Sequence, residues 1–127
     1  MSERIRIMLV DDHATTLAGL KAVLMREPNL EIVGEAYDGQ TAVNLANELL
    51  PDIVIMDVFL PQKNGIDATQ QIVERNPSIK VIGFSMHPGG AVVNAMRDAG
   101  AVNCISKSDP SESLISAIHA CYSNELK

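Results

Sequence analysis

Apolar positions along this chain follow two alternating rhythms. Short runs rich in Ile, Val, Leu and Met have the pattern of strands buried on both faces. Between them, apolar residues recur three and four apart, as on helices that lie against a core. Ile5-Arg6-Ile7-Met8-Leu9-Val10 predicts a first strand, cut off by Asp11-Asp12-His13. Leu17, Leu20 and Leu24 predict a helix ending near Pro28-Asn29. Glu31–Ala36 is a shorter, more polar strand, expected at a sheet edge. Asp38-Gly39 turns the chain into a helix with Ala42, Leu45, Ala46 and Leu49 on one face, stopped by Pro51. The strand Ile53–Met56 delivers Asp57, and a helix from near Gly65 to Asn76 follows, with Ile72 and Val73 inward. Val81–Phe84 ends at Ser85; Val92, Ala95, Met96 and Ala99 mark the next helix, with Gly100 as its stop. Val102–Ile105 leads to Ser106-Lys107. Asp109-Pro110-Ser111-Glu112 then predicts a helix start with Asp109 capping and Pro110 in the first position, and Leu114, Ile118 and Cys121 form its buried face.

Strict strand–helix alternation with short connections implies an α/β domain, its parallel sheet covered on both faces by helices. No internal repeat, low-complexity tract or interior linker breaks it, so 127 residues read as one domain. Ligands of such sheets bind beyond the carboxyl ends of the strands, where the strand order reverses. Asp11 and Asp12, Asp57, Ser85 and Lys107 end the first, third, fourth and fifth strands. All of them therefore fall on one rim.

That rim has a definite chemistry. Carboxylates at about 4 Å repel by ~1 kcal/mol per pair in water and about four times that near a protein surface, so the acids need a counter-charge. Hard oxygen ligands suit Mg²⁺ (or Mn²⁺), and Lys107 adds a mobile positive charge. A carboxylate nucleophile, a divalent ion, a lysine and a hydroxyl together suit phosphoryl transfer. Asp57 is then the attacking carboxylate and becomes an acyl phosphate. Asp11 and Asp12 hold the ion with a backbone carbonyl just after Asp57, Lys107 pairs with phosphoryl oxygens, and Ser85 donates a hydrogen bond. His13, His87 and His119 are spread too widely for a metal set; His13 and His87 are read as bordering the site without ligating.

Composition narrows the setting. The chain is 46% hydrophobic with mean hydropathy +0.10, typical of a folded protein. No apolar run approaches the ~20 residues of a membrane helix and no signal-peptide pattern opens the chain, so its expected place is cytoplasmic. A net charge of −6 with scattered Lys and Arg, and only 3% aromatics, offers no footprint for nucleic acid. Cys104 and Cys121 have no metal-type spacing and are expected as reduced thiols.

Val10-Asp11-Asp12-His13, Met56-Asp57, Pro61, Asn64-Gly65, Ser85 and Lys107 together resemble the receiver domain of two-component response regulators, across essentially the whole chain. Val33-Gly34-Glu35-Ala36, Asp38-Gly39 and Ser85-Met86-His87 resemble the NarL/FixJ (LuxR-type) subgroup, whose receiver precedes a helix-turn-helix DNA-binding domain. The resemblance implies a flavodoxin-like (CheY-like) (βα)5 fold, strand order 2-1-3-4-5, and phosphorylation of Asp57 by a histidine kinase. It makes Asp11 and Asp12 the acidic pair, Ser85 the switch hydroxyl, Lys107 the paired lysine and Phe59 the residue whose carbonyl completes the metal shell. It implies a homodimer on activation, contact with DNA only through an attached output domain, and no catalysis beyond the domain's own phosphorylation and dephosphorylation. The output surface is expected on the fourth helix, fifth strand and fifth helix, or on the first and fifth helices.

Three positions depart from the pattern. Cys104 stands where relatives have Tyr or Phe, so no ring swings to report on Ser85. Ser108 stands where many have a cis-bonded Pro, and Pro88-Gly89-Gly90 replaces an acidic stretch. Phe59 and His87 are expected to flank the phosphoryl group, Phe59 hindering an attacking water. A stand-alone receiver and a receiver working without phosphorylation are the alternative readings. A haloacid dehalogenase-type phosphatase wants an Asp where Phe59 stands, and a nucleotide-binding fold wants a Gly-rich loop after the first strand; neither is present. The chain ends soon after the last helix, and the subgroup resemblance favours a receiver at the front of a longer transcription factor.

Overall fold

The computed structural model describes residues 4–60, 63–86 and 89–125. In chain order these form β1 (Ile5–Val10), α1 (Ala14–Leu24), β2 (Leu30–Ala36), α2 (Gly39–Leu49), β3 (Ile53–Asp57), α3 (Gly65–Arg75), β4 (Lys80–Ser85), α4 (Gly90–Ala99), β5 (Asn103–Ser106) and α5 (Ser111–Glu125). The strands make one parallel sheet in the order β2-β1-β3-β4-β5. From β1 the chain steps out to β2, then back past β1 to β3. The direction of winding reverses there, which opens a crevice at the carboxyl ends of β1 and β3.

Strand alternation feeds two cores. Met8, Val10, Val54, Met56 and Val81 pack with Ala42, Ala46, Ala68, Ile72 and Met96 from α2, α3 and α4. On the other face Ile7, Leu9, Ile53, Ile55, Ile82 and Phe84 meet Leu17, Leu20 and Leu24 of α1 and Leu114, Ile118 and Cys121 of α5. Two-sided burial is why β3 is buried at every position while the edge strand β2 tolerates Glu31 and Glu35.

Several boundaries differ from the sequence reading. α1 stops at Leu24, before Pro28, because Met25, Arg26 and Glu27 close turns onto Lys21, Val23 and Leu24. On α2 it is Val43, with Ala42 and Ala46, that is buried; Leu45 and Leu49 lie half-exposed over Gly34 at the sheet edge. β5 starts at Asn103, and Val102 is 45% exposed, since this second edge strand has a neighbour on one side only. α5 starts at Ser111: Asp109 N–H closes a turn onto the Ser106 carbonyl, and Ser113 N–H reaches the Pro110 carbonyl. Pro110 thus precedes the helix, and among the described residues nothing donates to the Asp109 carboxylate.

The far end of α2 shows how the sheet finishes a helix. Leu50 caps it at φ 50°, the sole non-glycine with positive φ among the described residues. The Arg6 guanidinium donates from β1 to the carbonyls of Leu50 (2.8 Å) and Leu49 (2.9 Å), satisfying otherwise orphaned acceptors at the negative end of the helix dipole. A left-handed leucine costs roughly 1–2 kcal/mol, which glycine avoids. Leu50→Gly is therefore expected to raise the unfolding free energy by about 0.5–1 kcal/mol, after allowance for the freer unfolded chain, in urea denaturation.

Candidate functional site

Register brings the polar strand ends together. Val10 pairs with Met56, so Asp11 emerges beside Asp57; Asp57 pairs with Phe84, and Ser85 with Ser106, one residue before Lys107. Parity completes the convergence. Asp11 continues the row of Ile7 and Leu9, Asp57 that of Ile53 and Ile55, and Lys107 that of Ile105, all on the side covered by α1 and α5. Ser85 has the opposite parity, yet lines the same cavity of about 250 Å³ with His13, Asp57, Phe59, Met86 and Lys107.

Lys107 is the cavity's counter-charge. Its Nζ lies 2.7 Å from Asp11 Oδ2 and 3.5 Å from Asp57 Oδ2, with only a tenth of its side chain exposed. Its ammonium stands 5.8 Å from the centre of the Phe84 ring, which adds a cation–π attraction to the two ion pairs. The Lys107 N–H donates to the Ser85 carbonyl at 2.7 Å, fixing the backbone under this side chain.

Asp57 is 4% exposed, and burial, followed by the nearby Asp11 charge, pushes its carboxyl up to about 6. Lys107 and the Phe59 N–H, which donates to Asp57 Oδ1 at 3.3 Å, pull the other way. Asp12 is more open, and His13 Nδ1 lies 3.1 Å from its Oδ1 and 3.2 Å from Asp11 Oδ1. One lysine faces three acids. The excess of hard oxygen donors fits a divalent cation, and oxygens or nitrogens of Asp11, Asp12, His13 and Asp57 lie within 4.8 Å of one another.

The chain after Asp57 is held by close backbone packing. Gly65 N–H donates to the Val58 carbonyl at 2.7 Å, and a Cβ on Gly65 would stand 2.1 Å from the Asp57 carbonyl oxygen. No side chain fits there without moving Asp57. Gly39 has a similar role one layer out, where a Cβ would meet the Lys63 carbonyl at 1.8 Å. Asn64 caps α3 by accepting from Asp67 N–H at 2.9 Å. With the Val58 carbonyl engaged by Gly65, the Phe59 carbonyl is the first beyond it to which no described residue donates.

The structure thus gathers Asp11, Asp12, Asp57, Phe59, Ser85 and Lys107 at one rim. Phe59 is 66% exposed at the mouth. Cys104 lies on the other face, half-buried beside Gly83 and Met96, and burial raises its thiol above the usual range. It fills space under α4. His87, Pro61 and Pro88 lie outside the described residues. The peptide bond after Lys107 is trans, as are the others described. Sequence reasoning set His13 beside the site, and the structure goes further by turning its ring onto the acid pair; the Asp-Asp-His run was the available signal. It did not reveal Gly65 as the floor beneath Asp57 or Phe84 as the surface beneath Lys107.

A five-stranded doubly wound sheet with acids at the ends of β1 and β3 and a lysine after β5 defines a receiver-type domain. The chain belongs to the response regulator receiver domain family, whose profile matches residues 7–119. It is a receiver domain of a two-component response regulator. It is 36% identical over 123 residues to the transcriptional regulatory protein LiaR of Bacillus subtilis (strain 168), covering 97% of this chain and 58% of that protein. It is 34% identical over 115 residues to the transcriptional regulatory protein DegU of Brevibacillus brevis, covering 91% and 49%. The chain spans about half the length of these curated relatives. Among solved structures, a LuxR-family two-component response regulator from Aurantimonas sp. SI85-9A1 superposes with a TM-score of 0.91 at 37% identity, covering 96% of this chain and 87% of that one. The response regulator domain of Thermotoga maritima CheB gives 0.86 at 32%, covering 93% and 96%.

The raised Asp57 carboxyl has a stability consequence. Above about pH 6 the folded chain carries an ionised carboxylate that is penalised relative to the unfolded chain; below about pH 4 both states are protonated and the penalty is gone. Without divalent ions, Asp57→Asn is expected to be more stable than wild type by about 1–2 kcal/mol near pH 7.5, a figure discounted for solvent at the cavity mouth. Urea titrations from pH 7.5 down to about 4 should show that advantage fading to nothing. Adding Mg²⁺ should stabilise wild type more than the variant.

Proposed function

We propose that Asp57 accepts a phosphoryl group from a phosphorylated histidine of a sensor kinase, and that the domain is the front part of a longer, cytoplasmic transcription regulator. The observation that carries the reading is Lys107 Nζ poised between Asp11 and Asp57, 2.7 and 3.5 Å from their carboxylates. Asp57 Oδ2 attacks phosphorus, the P–N bond breaks, its electron pair returns to the imidazole, and an acyl phosphate forms. Lys107 then exchanges a carboxylate for a phosphoryl oxygen, and the Ser85 hydroxyl donates to another. Asp11, Asp12, Asp57 and the Phe59 carbonyl would hold Mg²⁺ or Mn²⁺. When bound, such an ion supplies positive charge against that gathering on the transferred oxygens.

Two bonds join the end of β4 to the end of β5. Lys107 N–H donates to the Ser85 carbonyl, and Ser106 Oγ to the Met86 carbonyl at 3.3 Å. With Cys104 in place of an aromatic ring, they provide the route by which a shift at Ser85 reaches β5 and α5. Dimerisation follows from the altered helix surface, and DNA is contacted only through an output domain; the relatives named as transcriptional regulatory proteins support that reading.

Incubation with acetyl phosphate and Mg²⁺, followed by intact-mass measurement, should add one phosphoryl group to wild type and none to Asp57→Asn. A phosphorylated Asp57→Asn, or an unmodified wild type, overturns the assignment. Phe59 at the cavity mouth limits access of water, so Phe59→Asn should speed loss of the phosphoryl group by about three- to tenfold, or roughly 0.7–1.4 kcal/mol of barrier. A decay rate equal to wild type would remove that role.

A further inference from the structure

The residue that caps the start of α1 is an odd choice for its place. The cap position favours Ser, Thr, Asp or Asn, whose side chains bond the first free N–H groups, worth ~1 kcal/mol. Here it is His13, in extended conformation, with no side-chain cap bond. Its ring is turned the other way. Nδ1 lies 3.2 Å from Asp11 Oδ1 and 3.1 Å from Asp12 Oδ1, while its backbone N–H donates to the same Asp11 oxygen at 2.9 Å.

These separations fit more than an ion pair. Two donors at right angles, each about 2.2 Å from one ion, stand about 3.1 Å from each other in octahedral coordination. His13 Nδ1 has that spacing to both acid oxygens and shares the 4.8 Å cluster with Asp57. Two-thirds of the His13 side chain is exposed, so no packing reason holds the ring there. On the opposite flank Lys107 occupies Asp11 Oδ2, so the oxygen on the His13 side is Oδ1, which accepts from the His13 N–H and keeps a further lone pair for an ion.

We propose that His13 Nδ1 is a ligand of the divalent ion in this pocket, and that it biases the site toward transition ions over Mg²⁺. The inference rests on the reading of the acid cluster as a cation site. An imidazole nitrogen gains little from Mg²⁺, which prefers oxygen, and much from Co²⁺, with Mn²⁺ between them. The nitrogen thus makes the pocket discriminate among ions that oxygen donors alone would bind more evenly.

The test uses this chain with Mn²⁺, Co²⁺ and Mg²⁺ and does not depend on phosphorylation. Pulsed EPR of bound Mn²⁺ should show nitrogen hyperfine coupling in wild type and none in His13→Asn, a variant that supplies a proper cap and so keeps the fold. Calorimetric titration should show Co²⁺ affinity falling at least about tenfold in His13→Asn, the scale of losing even an outer partner of a metal ligand. Mg²⁺ affinity should change less than about twofold. Bound Mn²⁺ without nitrogen coupling, or coupling that survives in His13→Asn, overturns the role of His13 and leaves the acidic cation site standing. Failure of wild type to bind any of the three ions removes the cation site itself, and His13 with it.

Discussion

A nearly buried ammonium held between two buried carboxylates is the interaction on which the rest of this structure depends. Lys107 touches Asp11 at 2.7 Å and approaches Asp57 at 3.5 Å. Without it, two like charges would share a partly desolvated crevice, and Asp57 would be driven still further toward its neutral form. A neutral Asp57 is a poor nucleophile. The lysine therefore does two things through one charge: it keeps the crevice compatible with folding, and it keeps the Asp57 carboxylate within reach of ionisation near neutral pH.

The scaffold's task is to hold these groups where a soluble protein would otherwise separate them. Parallel strands that alternate between two apolar cores leave their polar residues only at the ends, and the register decides which ends meet. Behind Asp57 the backbone is clamped by Gly65, so the acid cannot retreat from its neighbours. Stability and readiness for chemistry pull in opposite directions at this rim, a conflict commonly confined to functional sites.

Around the pocket, exposed parts adjoin fixed ones. Asp11 and Asp57 are locked by strand pairing, whereas Phe59 and Met86 stand largely exposed on connections beyond β3 and β4. The bond from Ser106 to the Met86 carbonyl and that from Lys107 N–H to the Ser85 carbonyl tie the end of β4 to the end of β5. Cys104, set under α4 beside Met96, takes no part in them.

Much of this was written in the pattern of residues. Alternation of buried runs with helical stripes required a parallel sheet with two covered faces, and polar residues ending four of those runs required a polar rim, because period and termination are local properties of a chain. Where local pattern does not decide, tertiary structure did. Val43 rather than Leu45 became core because α2 rolls on Gly34 at the sheet edge, and Val102 stayed exposed because β5 lacks an outer neighbour. The start of α5 was set by a turn closing after Lys107, a contact that no capping pattern encodes. By itself the sequence determined which side chains carry charge to the rim. Only the folded register decided that Lys107 lies between Asp11 and Asp57 and that the His13 ring faces the acids, since distances between residues remote in sequence come from how strands pair and helices pack.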